Sequence, residues 1–367
     1  MEEVQVSDVV PEAARELNVR SQDPLCSGAS LSYLDEALTP TRRFFIRNHF
    51  AIPRLDPTSW ALSVWGEVGR PFMLRYEELK GLPSKELVCL MECAGNSRFT
   101  MQPPAEGVPW DHGAVGTARW RGVPVAAVLE QASLRPNATN VLFEGADFGK
   151  ERTAPGVLAP TEGSYAMSLP LEKVLAPDTM LAYEMNGESL PAEHGYPVRL
   201  LVPGWYGMAS VKWLVNIRVL NQPFRGFHEN DYYVFVPEGE SDAPWQRVTT
   251  IRVKSLITWP GRGGLIPTGS HRIRGVAWSG QGAISQLEVS TDNSRSWHQG
   301  ALQEPLSPYA WQRWEYEWEV RKPGHYLILA RATDSKGHTQ PLQAPWNFRG
   351  YAVNSIHTVP VTVRPGD

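Results

Sequence analysis

Residues 314–320 read WEYEWEV, and this alternation constrains the chain more than any other segment. In an extended strand Trp314, Tyr316, Trp318 and Val320 share one side while Glu315, Glu317 and Glu319 share the other. A helix cannot sort a period of two onto two faces, so one face of a strand here is buried and the other wet. Similar short runs lie around it: HRIRGVAWS (271–279), ISQLEVS (284–290) and HYLILARA (325–332), with turns at STDNS (290–294) and TDSKG (333–337). Short strands at regular spacing with turns between them predict an immunoglobulin-like β-sandwich over residues 245–367.

Upstream the pattern is mixed. The β-like runs WALSVWGEV (60–68), TNVLFEGA (139–146) and VRLLVPG (198–204) alternate with the helical candidates RYEELKGL (75–82), VPVAAVLEQASL (123–134) and SLPLEKVL (168–175). Residues 41–240 therefore read as a domain of α+β type. The Pro-, Gly- and acid-rich segment VPEGESDAP (236–244) marks the boundary between the two. Residues 1–40, a short helical pattern from Pro11 to Leu17 followed by polar turn residues, read as an arm along a surface.

Composition removes whole classes. With 42% hydrophobic and 20% charged residues the chain is an ordinary globular one, not a disordered tract, and its 31 prolines exclude a helical bundle. Thirty-five Lys and Arg against 39 Asp and Glu leave a net charge of -4, which argues against nucleic acid or an anionic membrane as partner. No apolar run approaches the ~18 residues of a membrane span. The start, MEEVQVSDVVPEAARELNVR, is acidic and amphipathic rather than a basic leader. The expectation is a soluble chain, cytoplasmic as it stands and periplasmic if a leader was removed. Three cysteines, Cys26, Cys89 and Cys93, are too few for a disulfide framework.

Motifs for phosphate loops, dinucleotide binding, zinc proteases, α/β hydrolases and c-type haem attachment are all missing from the sequence. What stands out is ELVCLMECAGNSRFT (86–100), an apolar strand that runs into Cys93, the small residues Ala94 and Gly95, then Asn96 and Arg98. Two readings stay open: a buried core cysteine before a turn, or a thiolate favoured by the turn amides and Arg98. Cys89, inside an apolar run, reads as core. FFIRNHF (44–50) sets Arg47 and His49 among aromatics, HGYPVRLLVPGWYGMASVKW (194–213) carries His194, Arg199 and Lys212 with glycine-rich turns, and WNFRGYAVN (346–354) carries Arg349. The middle segment suits a phosphate-bearing ligand.

Together, MECAGNSR, FFIRNH, WDHGAVGTARWRGVPV (110–125), LAYEMNGESLPAEHGYPVRLLVPG (181–204), VKWL (211–214) and WNFRG resemble the sulfite oxidase family of molybdenum-cofactor enzymes. The likeness runs from about Thr41 to Val363 in the family's own order. It implies an α+β molybdopterin-binding domain followed by an immunoglobulin-like dimerisation domain, and a homodimer. The tryptophans of the C-terminal region, among them Trp278, Trp311, Trp314 and Trp318, exceed the needs of one small core and point the same way.

Residue by residue, the resemblance makes Cys93 the thiolate ligand of molybdenum, beside the pterin dithiolene. It makes Phe45, Arg47, His49, Asp147, His194, Arg199, Ser210 and Lys212 contacts of the pterin cofactor. Arg98, Trp110, Arg349 and Arg47 would form the oxyanion pocket, and Tyr232, or Tyr233 if the match is displaced by one, would lie by the oxo group. Ser97 stands where animal members often have a second basic residue, which makes the pocket less positive. The sequence carries no haem domain and no flavin domain, so electrons leave to a separate acceptor, a c-type cytochrome or oxygen. The implied reaction is oxidation of sulfite to sulfate by oxygen-atom transfer. The alternatives are a sulfane-sulfur or other oxyanion dehydrogenase of the same family and, from another class, a non-catalytic Trp-rich β-sandwich binding protein.

Overall fold

The computed structural model describes residues 15–150, 162–235 and 245–366. The boundary segment 236–244 and most of the helical pattern at Pro11 to Leu17 lie outside them.

Two larger sheets, one antiparallel and one mixed, build the N-terminal region. One orders the strands Glu188–Ser189, Met180–Met185, Val115–Pro124 and Lys85–Glu92, with Arg199–Leu201 also paired to Met180–Met185. The other runs Phe72–Arg75, Ala61–Gly66, Leu214–Leu220, Asn140–Gly149 and Gly163–Pro170. The helices predicted at 75–82, 123–134 and 168–175 form as the shorter segments Tyr76–Lys80, Val125–Ala132 and Leu171–Leu175. Local chemistry trims them. Glu78 accepts the Arg75 N–H at 2.7 Å, Pro124 and Pro170 sit at helix entrances, and Ser133 turns left-handed at φ 56° to end the second helix.

The C-terminal region is the expected sandwich. One sheet orders Lys254–Trp259, Gly269–Trp278, Gln312–Val320 and Ala301–Leu302; the other orders Gly264–Pro267, His357–Arg364, Gly324–Asp334, Ile284–Ser290 and His298–Gln299. Trp314 and Trp318 face the core with Ile273, Leu287, Ile328 and Val359, while Glu317 and Glu319 face solvent.

The two regions share a core. The larger hydrophobic cluster runs from Val64, Phe143 and Leu200 into Leu256, Val276, Trp278, Trp311 and Tyr351. The tryptophans divide: Trp278, Trp311, Trp314 and Trp318 are buried within the chain, in the seam or the sandwich, whereas Trp259, Trp297 and Trp346 are half-buried and Trp245 is 48% exposed. The expected arm is likewise more than a surface strip. Its strands Asn18–Gln22 and Leu25–Gly28 form a small sheet with Ile46–Arg47. Its Asp35 carboxylate meets Arg274 Nη1 at 2.9 Å and accepts the Thr258 hydroxyl at 2.9 Å, so it bolts the two regions together. Among the described residues no helix is long and apolar enough to cross a membrane.

Candidate active site

Strand Lys85–Glu92 ends where the chain must turn, and the turn is held from within. Cys93 donates its N–H to the Ala114 carbonyl at 2.9 Å, and Asn96 donates back to the Cys93 carbonyl at 2.9 Å. Gly95 is required by Arg98, which folds back over it: a Cβ at Gly95 would lie 2.6 Å from Arg98 Nη2.

Cys93 opens onto a cavity of about 60 Å³. Phe45, Arg47, His49, Asp147, His194, Arg199, Ser210 and Lys212 line it as well, so the fold brings the expected metal ligand and the expected cofactor contacts to one wall. They arrive from distant elements. Arg47 ends a strand whose neighbour across the sheet is Cys26. His194 closes a single turn stopped by Gly195 at φ 106°. Asp147 is turned inward where strand Asn140–Gly149 slips register against Gly163–Pro170 between Glu144 and Phe148, a bulge that re-aims a side chain.

The basic groups are tied to backbone rather than to carboxylates. Arg199 donates to the carbonyls of His194 at 2.9 Å and Ser210 at 3.1 Å, while its buried Nε has no hydrogen-bond partner among the described residues. Lys212 donates to Asn48 Oδ1 and, at 2.9 Å, to the Glu193 carbonyl. The Ser210 hydroxyl caps the Val202 N–H at 3.1 Å. Burial, reinforced by neighbouring cations, pushes His194 down to about 3 and Lys212 down to about 7. Burial alone takes Arg199 down to about 9. A cavity that penalises its own cations is short of an anion.

That is the test of fit for a phosphate-bearing pterin, and the residues pass it: Arg199, Lys212 and His194 line one cavity, Arg199 Nε has no partner among the described residues, and Asp147 on the same wall acts on Lys212 only from a distance. Among the described residues no group of three or more His, Cys, Asp or Glu is placed to hold a metal ion, so a metal at Cys93 would need donors from outside these side chains, as a dithiolene provides. One expectation needs correction. Burial raises the Cys93 thiol, outweighing Arg47, the Gly95 amide and Arg98, which lower it in that order, so the turn does not by itself make a thiolate.

The expected oxyanion residues are less uniform. Trp110 is fully buried in the cluster that holds Cys93, Phe45 and Trp120, off the cavity wall. Arg98 spends Nε on the Arg349 carbonyl at 2.7 Å and Nη1 on the Val108 carbonyl at 2.9 Å. It stands behind Arg349. The Arg349 guanidinium lies 4.5 Å from the centre of the Tyr232 ring, and its buried Nη2 has no hydrogen-bond partner among the described residues. Ser97 is left-handed at φ 73° and its hydroxyl meets His112 Nδ1 at 2.8 Å.

Tyr232 and Tyr233 divide the work that sequence could not apportion. Tyr233 lines the cavity and its hydroxyl lies 2.7 Å from His49 Nε2, whereas Tyr232 underlies Arg349. Tyr232 ends, and Tyr233 follows, a π-turn over His228–Tyr232, a local irregularity often found at functional sites. Sequence reasoning missed Asn48, Met91, Glu193 and Trp213 on the cavity wall. Asn48 stands between two chosen residues in FFIRNHF and Trp213 follows Lys212, so proximity in sequence was the available signal.

Comparison with known proteins follows the same division. A family model described as an oxidoreductase molybdopterin binding domain matches residues 49–228, and one described as a Mo-co oxidoreductase dimerisation domain matches residues 246–364. Mitochondrial sulfite oxidase of Rattus norvegicus is 36% identical over 372 residues, an alignment that covers 95% of this chain and 66% of the rat protein. Sulfite oxidase of Arabidopsis thaliana is 31% identical over 379 residues, covering 94% of this chain and 93% of the plant protein. Among solved structures, the sulfane dehydrogenase SoxCD from Paracoccus pantotrophus superposes with a TM-score of 0.78 at 28% identity, covering 97% of this chain and 86% of that one. These matches displace the reading of a non-catalytic binding protein. The chain belongs to the sulfite oxidase family of molybdenum-cofactor oxidoreductases.

Proposed function

We propose that this chain oxidises sulfite to sulfate, taking one oxygen from water and releasing two protons and two electrons to a separate acceptor, a c-type cytochrome or oxygen. The observation that carries the reading is Arg349, a buried guanidinium over the Tyr232 ring whose Nη2 has no hydrogen-bond partner among the described residues; Tyr232 in turn packs against Tyr233, which lines the Cys93 cavity. Cys93 would hold molybdenum, and His194, Arg199 and Lys212 the pterin phosphate. When bound, the cofactor supplies oxygen-atom transfer and two-electron redox chemistry.

The chain's own residues bind, orient and manage protons. Arg349 offers the sulfite dianion charge-assisted hydrogen bonds, and Arg47 adds charge from the cavity wall. Arg98 acts through Arg349, whose carbonyl it fixes. Arg47 Nη2 lies 3.5 Å from His49 Nδ1 and has only hydrogens to offer, so that ring nitrogen accepts. Nε2 then carries the hydrogen and donates to Tyr233 Oη. The phenol hydrogen is left for the cavity, and burial, which pushes Tyr233 well up, keeps it there.

Metal analysis combined with sulfite-dependent reduction of cytochrome c and of oxygen tests the reading. Molybdenum-dependent turnover with sulfite is expected; a molybdenum-loaded protein that ignores sulfite and oxidises sulfane sulfur would overturn it. That second reading, a sulfane-sulfur dehydrogenase, is favoured by the likeness to SoxCD over nearly the whole chain. The working form would be a homodimer, with residues 246–364 supplying the contact.

A further inference from the structure

Glu92, the residue immediately before Cys93, is 1% exposed, and its carboxylate is held from both halves of the molecule. Oε1 accepts from Lys254 Nζ at 2.9 Å and from Asn96 Nδ2 at 3.0 Å; Oε2 accepts from Trp278 Nε1 at 2.9 Å. Lys254 and Trp278 belong to the C-terminal region, and Lys254 is itself 2% exposed.

From this carboxylate a chain of bonds returns to the metal-binding residue. Asn96 Oδ1 accepts the Ala114 N–H at 3.1 Å, and the Ala114 carbonyl accepts the Cys93 N–H at 2.9 Å. Two further ties cross the seam onto the same turn: Ala352 donates its N–H to the Ala94 carbonyl at 2.7 Å, and Arg98 reaches the Arg349 carbonyl. A buried ion pair between regions adds little net stability over apolar packing, so its role is sought in what it orients.

We propose that Lys254 and Trp278 are positioning residues for the metal site, setting the Cys93 turn through Glu92, so that the C-terminal domain completes the active site as well as joining subunits. This rests on Cys93 as the metal ligand. A ligand whose supports are fixed keeps one orientation toward the metal; loosening them changes metal–sulfur overlap before it changes substrate binding.

The test uses molybdenum-loaded full-length protein, comparing Lys254→Met and Trp278→Phe with Val361→Ala, a sandwich-core change remote from Glu92. Metal content, the thiolate-to-metal absorption band, thermal midpoint, kcat and KM are read together. Lys254→Met should shift the band and lower kcat about tenfold with KM within about twofold, in the ~10–100-fold range for lost ligand support. Trp278→Phe should do the same to about threefold, and Val361→Ala should lower the midpoint while leaving band and kcat alone. Parental band and kcat in Trp278→Phe at full metal content would overturn the proposal, even if Lys254→Met fails to fold, as would an equal shift in Val361→Ala. A parent lacking the thiolate band overturns it together with the Cys93 assignment. A parent with the band but no sulfite turnover refutes only the substrate reading.

Discussion

Lys212 on the cavity wall and Lys254 in the seam between domains show two ways for one chain to keep a buried cation. Lys254 has a carboxylate at 2.9 Å, supplied by Glu92. Lys212 has an amide oxygen and a carbonyl, with Asp147 favouring its charge only from a distance, and burial with Arg199 takes it down to about 7. The seam is electrically finished and the cavity is not. A protein leaves a charge unfinished where a ligand is to complete it, which is the physical content of a cofactor site.

The sharpest break in that comparison is at Cys93, where the cavity meets the seam. Cys93→Ser should lower sulfite turnover by far more than the ~10–100-fold that loss of a ligand's hydrogen-bond partner costs. Its fold should survive, because the turn is held by main-chain bonds that serine keeps. Turnover at verified cofactor loading, with circular dichroism as the control, checks this; full activity would remove Cys93 from the site.

The two lysines should then answer one substitution differently. Lys254→Met strands a buried Glu92 and should cost about 3–5 kcal/mol in denaturant unfolding. Lys212→Met leaves the buried Asp147 on the same wall, but Asp147 acts on Lys212 only from a distance, whereas Glu92 loses a direct partner at 2.9 Å. Lys212→Met should leave the cofactor-free fold near its original stability and empty the protein of molybdopterin. Equal losses of stability in the two variants would erase the distinction.

Titration sharpens it further. An unfolded lysine holds its proton to ~10.4, whereas Lys212 in the cofactor-free fold releases it at about 7. Between those values the unfolded chain binds more protons, so stability rises with pH; below about 7 the full penalty applies. The cofactor-free protein should gain up to ~1.4 kcal/mol per pH unit over part of that window. Loading with a phosphate-bearing cofactor, or Lys212→Met, should flatten the slope at about pH 7 to 8, leaving the parts from Arg199, Lys254 and Lys173, which burial also lowers. Unfolding midpoints measured across the window in the three forms decide it.

The same contrast explains what was legible in the sequence. Strands such as Gln312–Val320 announce themselves because burial imposes a period of two along adjacent residues. The cavity residues were legible only as motifs matched to a family, since Arg47, Asp147 and Lys212 have no local pattern that brings them together. Glu92 and Lys254 carried no signal at all. Their meeting spans 162 residues, and each alone reads as an ordinary polar residue in a strand. The different places of Tyr232 and Tyr233 were invisible for another reason: the π-turn His228–Tyr232 ends between them, and sequence does not count residues per turn.

Arg349 tests the boundary between the two regions with the smallest effect. It comes from the C-terminal region, its Nη2 has no hydrogen-bond partner among the described residues, and Arg98 pins its backbone through a 2.7 Å bond to the carbonyl rather than to the side chain. Arg349→Lys therefore keeps the backbone anchor and the charge while removing the planar fork that matches an oxyanion. Losing one charge-assisted hydrogen bond of ~1.5–3 kcal/mol, partly regained by the ammonium, should raise KM for sulfite about tenfold. Molybdenum content should stay at the parental level, because Lys212, Arg199 and His194 on the opposite side of the question are untouched. Loss of metal with an unchanged KM would assign Arg349 to the cofactor instead, and would make the cavity, not the seam, the region that the C-terminal domain completes.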